Sequence, residues 1–314
     1  MKLLFVLSKD NVKIAKAEVL ALINTKKCDL DGNFLALEGN PEAVKNRLAY
    51  THKYHDLLFT SNKKDFAKKF SSFPWQKVYK KNFCLRIHNP RYSDKEMAGY
   101  IWDAVKNPKV DLENPETMIE CFFSGNRAFC GRLIEKTEKH FDERKTQNRP
   151  SPHPTSLHPK LARAMVNLSG AERGEEIFDP MCGSGGILIE AGLIGLKARG
   201  TDIDKEMVER AKANLDFFGI KKYSVREKDA LKIGKEKYVV TDLPYGKNTK
   251  KVDVLKLYNS FLGVLKRNLR KRAVIGFPDF VDYKKLIKKN RLKILNEFDY
   301  YLHQGLSKKI AVIA

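Results

Sequence analysis

"FDPMCGSGG", residues 178–186, decides the reading of this chain. The apolar pair Ile177-Phe178 sits in "EEIFDP", which reads as a short buried strand, and a glycine-rich turn follows at once. "GGILIEAGLIG" then continues with helical periodicity. A strand that turns on glycines into a helix aims the helix's first backbone N–H groups at whatever lies beyond the strand end. The run superficially matches the dinucleotide fingerprint G-x-G-x-x-G, with Gly183 and Gly185 as its first two glycines. Leu188 stands where the third belongs. Asp179 adds a second objection, because a carboxylate at the strand end repels a pyrophosphate and welcomes an ammonium.

The pattern extends outward from that loop as repeated βα units. Strand "KARGTDID", helix "KEMVERAKANLDFFG", "YSVREKDA", strand "YVVTDLPYG", helix "VLKLYNSFLGVLKRNL", strand "RAVIGFPD" and a basic helix over 283–290 follow one another. The closing "FDYYLHQGLSKKIAVIA" reads as two antiparallel strands joined near Gly305. Such alternation implies an α/β fold, a Rossmann-like parallel sheet with helices on both faces and an antiparallel hairpin at its C-terminal end. Acids stand at successive strand ends. Asp202 follows Asp179 by 23 residues, the spacing of an acid that accepts from ribose hydroxyls, and Ile203 beside it offers an apolar face for adenine. Asp229 ends the third strand, placed to accept from the adenine amino group, with Ala230 next to it. Asp204 reads as a helix N-cap. Singly, each acid is also explained as a loop or capping residue. Together behind a glycine turn, with Cys182, Gly183 and Gly185, they describe a site for an adenosine ligand that lacks phosphates, carries positive charge and ends in an amino-acid tail. S-adenosylmethionine has that constitution.

"VVTDLPYGKN", residues 239–248, supplies the chemistry. A β-branched strand stops at Asp242, and Leu243, Pro244 and Tyr245 form the turn beyond it. An exocyclic amine on a nucleobase is a poor nucleophile because its lone pair is delocalised into the ring. A carboxylate and a backbone carbonyl, each accepting one N–H, draw the nitrogen toward tetrahedral geometry and stabilise the charge that develops on it. Asp242 and the carbonyl around Leu243-Pro244 are those acceptors. Tyr245 offers a ring on which a flipped base stacks, and Gly246 lets the chain turn away.

Composition restricts the partner. Sixty Lys and Arg against 38 Asp and Glu give a net charge of +22 and a pI near 9.6, and the excess is spread over both halves. A large polyanion that touches both halves is the natural partner, nucleic acid above all. Five cysteines, none in a C-x-x-C pair, argue against a disulfide framework and against a zinc site, so no metal is expected and a reducing cytoplasm is. "LLFVL" is too short for a signal peptide, and no apolar run reaches membrane-spanning length.

The N-terminal half alternates strand and helix. "KLLFVLS", helix "NVKIAKAEVLALIN", strand "NFLALEG", a helix over "NPEAVKNRLAY" capped by Asn40 with Pro41 first, and "DLLFTS" suit a ferredoxin-like α+β module over 1–60. Residues 61–135 form a second module, in which a helix begins at Ser93 with Glu96 three residues on and two strands meet around Gly125-Asn126. Residues 136–158 are polar and proline-rich and read as a linker, and 159–314 hold the βα units. His153 and His158, within that linker, read as structural or as part of a lid over the ligand.

"DPMCGSGG", "TDID" and "DLPYG" together resemble the amino-group branch of the S-adenosylmethionine-dependent Rossmann methyltransferases. "HPTSLHPKLARAMVNL" and "HQGLSKKIAVIA" are similar to one subgroup, the archaeal tRNA guanosine N2-methyltransferases, and "VDLENPETMIECFF" looks like their THUMP domain. The resemblance covers nearly the whole chain. It implies methylation of the guanosine N2 amine at tRNA position 10, with one or two methyl additions open. It makes Asp242 the catalytic acid, Asp179, Asp202 and Asp229 the lining of the cofactor site, and residues 61–135 the THUMP module that grips the 3′ end of tRNA. Arg127 and Arg132, flanking Phe129, are the candidate RNA contacts there. A monomer is expected, and the resemblance allows a small activator subunit. Leu243 departs from the broader Pro-Pro-Tyr pattern. Other readings stay open at this point: another tRNA or ribosomal RNA guanosine, adenine N6, a tRNA-binding protein whose methyltransferase half is inactive, or a nicotinamide-dependent dehydrogenase.

Overall fold

The computed structural model describes residues 1–137, 140–154, 156–245, 251–303 and 306–314. Its N-terminal elements are β1 (Lys2–Leu7), α1 (Val12–Ile23), β2 (Asp29–Asp31), β3 (Phe34–Glu38), β4 (Thr51–Asn62), α2 (Phe66–Ser71), β5 (Phe83–Ile87), α3 (Asp94–Ala104), β6 (Thr117–Ser124) and β7 (Arg127–Lys136). The chain forms two compact units. The first takes residues 1–12, 25–45 and 50–137 and contains all seven of these strands in one sheet, ordered β2-β3-β1-β4-β7-β6-β5. Strand β4 pairs with β1 on one side and β7 on the other, so strands from 1–60 and 61–135 share a single ladder. Phe59, Phe66, Phe70, Trp75, Phe83 and Ile101 fill its core, each side chain worth about 1.5–3 kcal/mol on burial. The Trp75 indole N–H donates to the Phe70 carbonyl at 2.9 Å, so that burial leaves no donor unpaired.

The helix expected over "NPEAVKNRLAY" is cut short. Asn40 caps as anticipated, its side chain accepting from Glu42 N, and Pro41 takes the first position. The turn closes after Pro41–Ala43 as a single 3₁₀ turn. Asn46 adopts a left-handed φ of 55°, and the residues that follow it are held by partners far away in sequence. Arg47 donates to the Asn167 side-chain oxygen from Nε at 3.3 Å and Nη2 at 3.2 Å, and Ala49 N donates to Glu18 Oε1 at 2.7 Å. Asn167 closes the network by donating to Glu18 at 2.7 Å and to the Arg47 carbonyl at 2.9 Å. Every member is buried, and breaking one leaves others unsatisfied. Residues 13–24 and 46–49 accordingly belong to the second unit, with 138–314.

That unit continues with α4 (Pro159–Leu168), β8 (Glu176–Asp179), α5 (Gly186–Leu193), β9 (Lys197–Asp202), α6 (Lys205–Phe217), β10 (Tyr223–Glu227), β11 (Glu236–Asp242), α7 (Lys251–Asn268), β12 (Leu269–Pro278), α8 (Tyr283–Lys289), β13 (Ile294–His303) and β14 (Leu306–Ile313). The sheet runs β10-β9-β8-β11-β12-β14-β13. Strands β8 to β12 are parallel, while β14 lies antiparallel to both β12 and β13. This is the Rossmann-like arrangement with the C-terminal hairpin. The hairpin's Gly305 and the turn residue Gly246 lie outside the described residues. Strand order reverses between β8 and β11, and a doubly wound sheet opens a crevice at the carboxyl ends of such a pair. The proline-rich stretch is fastened to this unit. Asn214 exchanges two hydrogen bonds with the Ser151 backbone, each 3.0 Å, and Arg210 donates to the Pro152 carbonyl at 2.7 Å.

Candidate active site

A cavity of about 460 Å³ opens at the β8/β11 crevice. It gathers Asp179, Cys182, Gly183, Asp202, Ile203, Asp229, Ala230, Asp242, Leu243, Pro244 and Tyr245, nearly every residue anticipated for cofactor and catalysis. Gly185 is not on its wall but shapes it. Its φ of +85° starts α5, and a Cβ there would press within 3.3 Å of the Ala211 backbone. The place of the missing third glycine is explained on the facing strand. Leu188 packs so tightly on Gly200 of β9 that a Cβ at Gly200 would lie 2.5 Å from it. The close helix–strand approach is thus achieved with the glycine on the strand.

The acids differ in their partners. Asp179 is 1% exposed; it accepts from the Thr241 hydroxyl at 2.7 Å and from Met181 N at 3.2 Å. Burial raises it to about 7 against the stabilising effect of those donors, with the Asp202 and Asp242 charges adding to the rise. Asp202 accepts from Gly183 N at 2.8 Å with one oxygen and from Asp204 N at 3.0 Å with the other. An ionised carboxylate offers about four lone-pair sites, so roughly two stay available for a ligand diol. Ile203 is 74% exposed beside it, an apolar face with no protein to cover it. Asp229 caps the turn after β10, accepting from Leu231 N at 2.8 Å, and Asp204 caps α6 through Glu206 N at 2.8 Å. Burial raises the Cys182 thiol, which makes it a packing group of the wall.

His153, Ser156 and Leu157 from the proline-rich stretch complete the wall, and Ser156 bonds to Ser184 of the glycine turn, oxygen to oxygen, at 2.7 Å. His158 instead caps α4, its Nδ1 accepting from Lys160 N at 3.2 Å.

At the end of β11, Asp242 keeps 16% of its side-chain exposure and meets Lys308 of β14, whose Nζ donates to both carboxylate oxygens. Burial raises Asp242, and Lys308 opposes that rise. The Lys308 ammonium also lies 4.9 Å from the centre of the Tyr245 ring. The Pro244 carbonyl accepts from the Tyr258 hydroxyl of α7. The Tyr245 hydroxyl is buried without a hydrogen-bond partner among the described residues. Thr241, Tyr258, Gly276 and Lys308 were not anticipated. Two of them carry a readable signal. Gly276 interrupts the apolar strand "AVIGFP", the mark of a close approach, and Lys308 shares the period-two face of the buried Ile310 and Val312.

Arg127 and Arg132 lie in the other unit, on β7. Arg127 is held by Asp29 through two bonds of 2.9 and 2.5 Å and stacks on Phe129 at 4.8 Å, while Arg132 donates to Asp56 at 3.0 Å. No helix among the described residues is long and apolar enough to cross a membrane, and no described group of three or more His, Cys, Asp or Glu is arranged to hold a metal.

Comparison with known proteins agrees with this geometry. The family model described as the RMKL-like methyltransferase domain matches residues 146–308, and a DNA methylase model matches residues 5–213. The chain is 35% identical to the tRNA (guanine(10)-N2)-dimethyltransferase of Pyrococcus abyssi, covering 94% of each. It is 32% identical to the protein of that name from Methanothermobacter thermautotrophicus, covering 100% of this chain and 99% of that one. The crystal structure of TrmN from Thermus thermophilus superposes with a TM-score of 0.50 at 18% identity, covering 100% of this chain and 99% of that one, a likeness of fold.

Proposed function

The chain belongs to the family of tRNA (guanine(10)-N2)-dimethyltransferases, and on that footing we propose that it methylates the exocyclic N2 amine of guanosine 10 in tRNA. The observation that carries the reading is the Asp242-Leu243-Pro244-Tyr245 turn opening into the same cavity as Asp179 and Asp202. The residues present suit S-adenosylmethionine. Asp179 would hold its ammonium, Asp202 its ribose, and Ile203 and Asp229 its adenine, and the Cys182–Gly185 turn, backed by Ala230, would take the tail. Bound there, the cofactor supplies an activated methyl group.

The protein's own part is to make the amine nucleophilic and to hold it in line. Tyr245 stacks the flipped base. Asp242 accepts one N–H of the amine. Tyr258 already takes one lone pair of the Pro244 carbonyl, and we assign the second acceptor to the carbonyl of Leu243. With two acceptors in place the nitrogen lone pair is released from the ring, and Asp242 is the adjacent base for the proton that the amine sheds. The dehydrogenase reading loses to this one, since Asp179 is a buried acid where a pyrophosphate would sit.

We read residues 61–135 as the THUMP module that grips tRNA, following the 1–60 module and joined through 136–158 to the catalytic domain at 159–314. Arg127 and Arg132 have a weaker claim as its RNA contacts, because acids already neutralise both. A cytoplasmic enzyme acting on tRNA as a monomer is the matching setting. Incubation of the purified chain with S-adenosylmethionine and an unmodified tRNA transcript, followed by nucleoside mass spectrometry, should yield N2-methylated guanosine that a G10 substitution abolishes. N6-methyladenosine in its place would overturn the assignment. Activity of the chain alone would dispense with the small activator subunit.

A further inference from the structure

Lys308 is 2% exposed and spends its charge inside the active site. Its reach depends on the strand between. Gly276 pairs with Asp242 on β11 and with Ile310 on β14, and Pro278 pairs with Lys308, so Lys308 and Gly276 share one face of the sheet. Gly276 has no side chain, and the Lys308 stem crosses above it to Asp242. A Cβ at Gly276 would stand 2.3 Å from Asp242 Oδ1 and 3.4 Å from Lys308 Cδ. Ser307 N donates to Asp279 Oδ2 at 2.9 Å and pins the start of β14 beside the end of β12.

We propose that Lys308 is a positioning residue for methyl transfer: it grips both oxygens of Asp242 and keeps that acid ionised and aimed at the amine. The inference rests on the reading of Asp242 as the acid. Asp179 from β8, Tyr258 from α7 and Tyr245 in the turn all feel the Asp242 charge, with Asp279 after β12 acting on Tyr245 and Asp202 from β9 acting on Asp179. Burial favours a protonated, inert Asp242, and the Lys308 ammonium that grips both its oxygens opposes this. A carboxylate gripped at both oxygens also has its rotamer fixed, and its remaining lone pairs then point to one place. The ammonium against the Tyr245 ring couples the acid to the surface on which the base stacks.

The experiment is the single-turnover rate on tRNA as a function of pH for wild type, Lys308→Met, Lys308→Arg and Asp242→Ala, with cofactor binding measured on each. Lys308→Met should lose roughly 10- to 100-fold at neutral pH, the scale of a misplaced catalytic group. Its acidic limb should move up by about one pH unit or more, since removing an opposite charge lets the carboxyl take its proton. Cofactor affinity should not change, and Lys308→Arg should recover part of the rate and most of the pH profile. A purely structural lysine would move neither the limb nor the Met-to-Arg difference. If Lys308→Met does not fold, Lys308→Gln is read in the same way. A wild-type rate and an unmoved limb in the neutral variant, with Asp242→Ala inactive, overturn the role of Lys308 alone. A wild-type rate in Asp242→Ala as well would instead overturn the reading of the acid.

Discussion

Gly276→Ala should disable methyl transfer without altering any acid, base or cofactor ligand. Gly276 lies within β12 and has no left-handed φ, so alanine meets no backbone strain there. The obstacle is space. The new Cβ falls 2.3 Å from Asp242 Oδ1, and the carboxylate has to retreat by roughly 0.7 Å or more to reach the 3.0 Å that real contacts respect. The Lys308 stem, which crosses above Gly276 and would lie 3.4 Å from the new Cβ, competes for the same space. Overpacking of this kind costs about 1–3 kcal/mol of stability. The kinetic effect is larger in proportion, since a displacement near 1 Å costs a catalytic group roughly 10²-fold. Single-turnover transfer of a labelled methyl group to tRNA, with enzyme in excess, reads that loss directly. Calorimetry of cofactor binding should return the wild-type affinity, because the glycine turn and Asp202 lie on other strands. An alanine variant with the wild-type single-turnover rate would show that Asp242 does not work from the position it holds.

Asp202→Ala should weaken S-adenosylmethionine binding by about 1.5–3 kcal/mol, the worth of a charge-assisted hydrogen bond, and calorimetry with unchanged affinity would remove it from the ribose role. Burial holds Asp179 protonated in the folded chain up to about pH 7, against 3.8 for a free carboxyl. Its contribution to stability is therefore full below about pH 4 and is lost as pH rises through 7. An ammonium needs the ionised form, so cofactor affinity should climb across that upper range and flatten in Asp179→Asn; a wild-type affinity that stays level from about pH 6 to 7.5 would count against the contact. Tyr245→Phe should stay active, since the hydroxyl has no partner among the described residues, while Tyr245→Ala should lose the flipped base. An inactive Phe variant would give the hydroxyl a role that stacking does not.

The second unit was legible because each of its signals is local. A βα alternation, a glycine turn and an acid at an abrupt strand end can all be read within about ten residues, and the ends of β8, β9, β10 and β11 meet the cavity. What escaped is set by pairs remote in sequence. The helix over "NPEAVKNRLAY" has a good cap and a good first residue, but Asn167 and Glu18, distant along the chain, claim Arg47 and Ala49 and stop it. No window around residue 45 contains that information. The joining of 1–60 and 61–135 into one sheet is likewise decided by the pairing of β4 with β7, a register that no local pattern specifies. Leu188 misled in a different way. The absent glycine is absent only from the helix, and Gly200 on the facing strand serves the same close approach.

The antiparallel β14 explains how a residue so near the C-terminus enters the chemistry. In a parallel sheet, each strand can bring a side chain to the crevice only near its carboxyl end, since every strand points toward it. A strand inserted in the opposite sense begins there. Lys308 is the third residue of β14, and its register partner Pro278 is the last residue of β12. The reversal thus brings an early residue of the strand to the rim, while Ile310 and Val312 run on along the buried face. A parallel β14 would put Lys308 at the opposite edge of the sheet, away from Asp242. The hairpin with β13 is what makes the reversal possible, because β13 takes the outer edge and leaves the place beside β12 to its partner. By this argument the closing "SKKIAVI" is more than the last strand of a sheet. It carries the counter-charge for an acid sixty-six residues earlier, at the one edge where the two can meet.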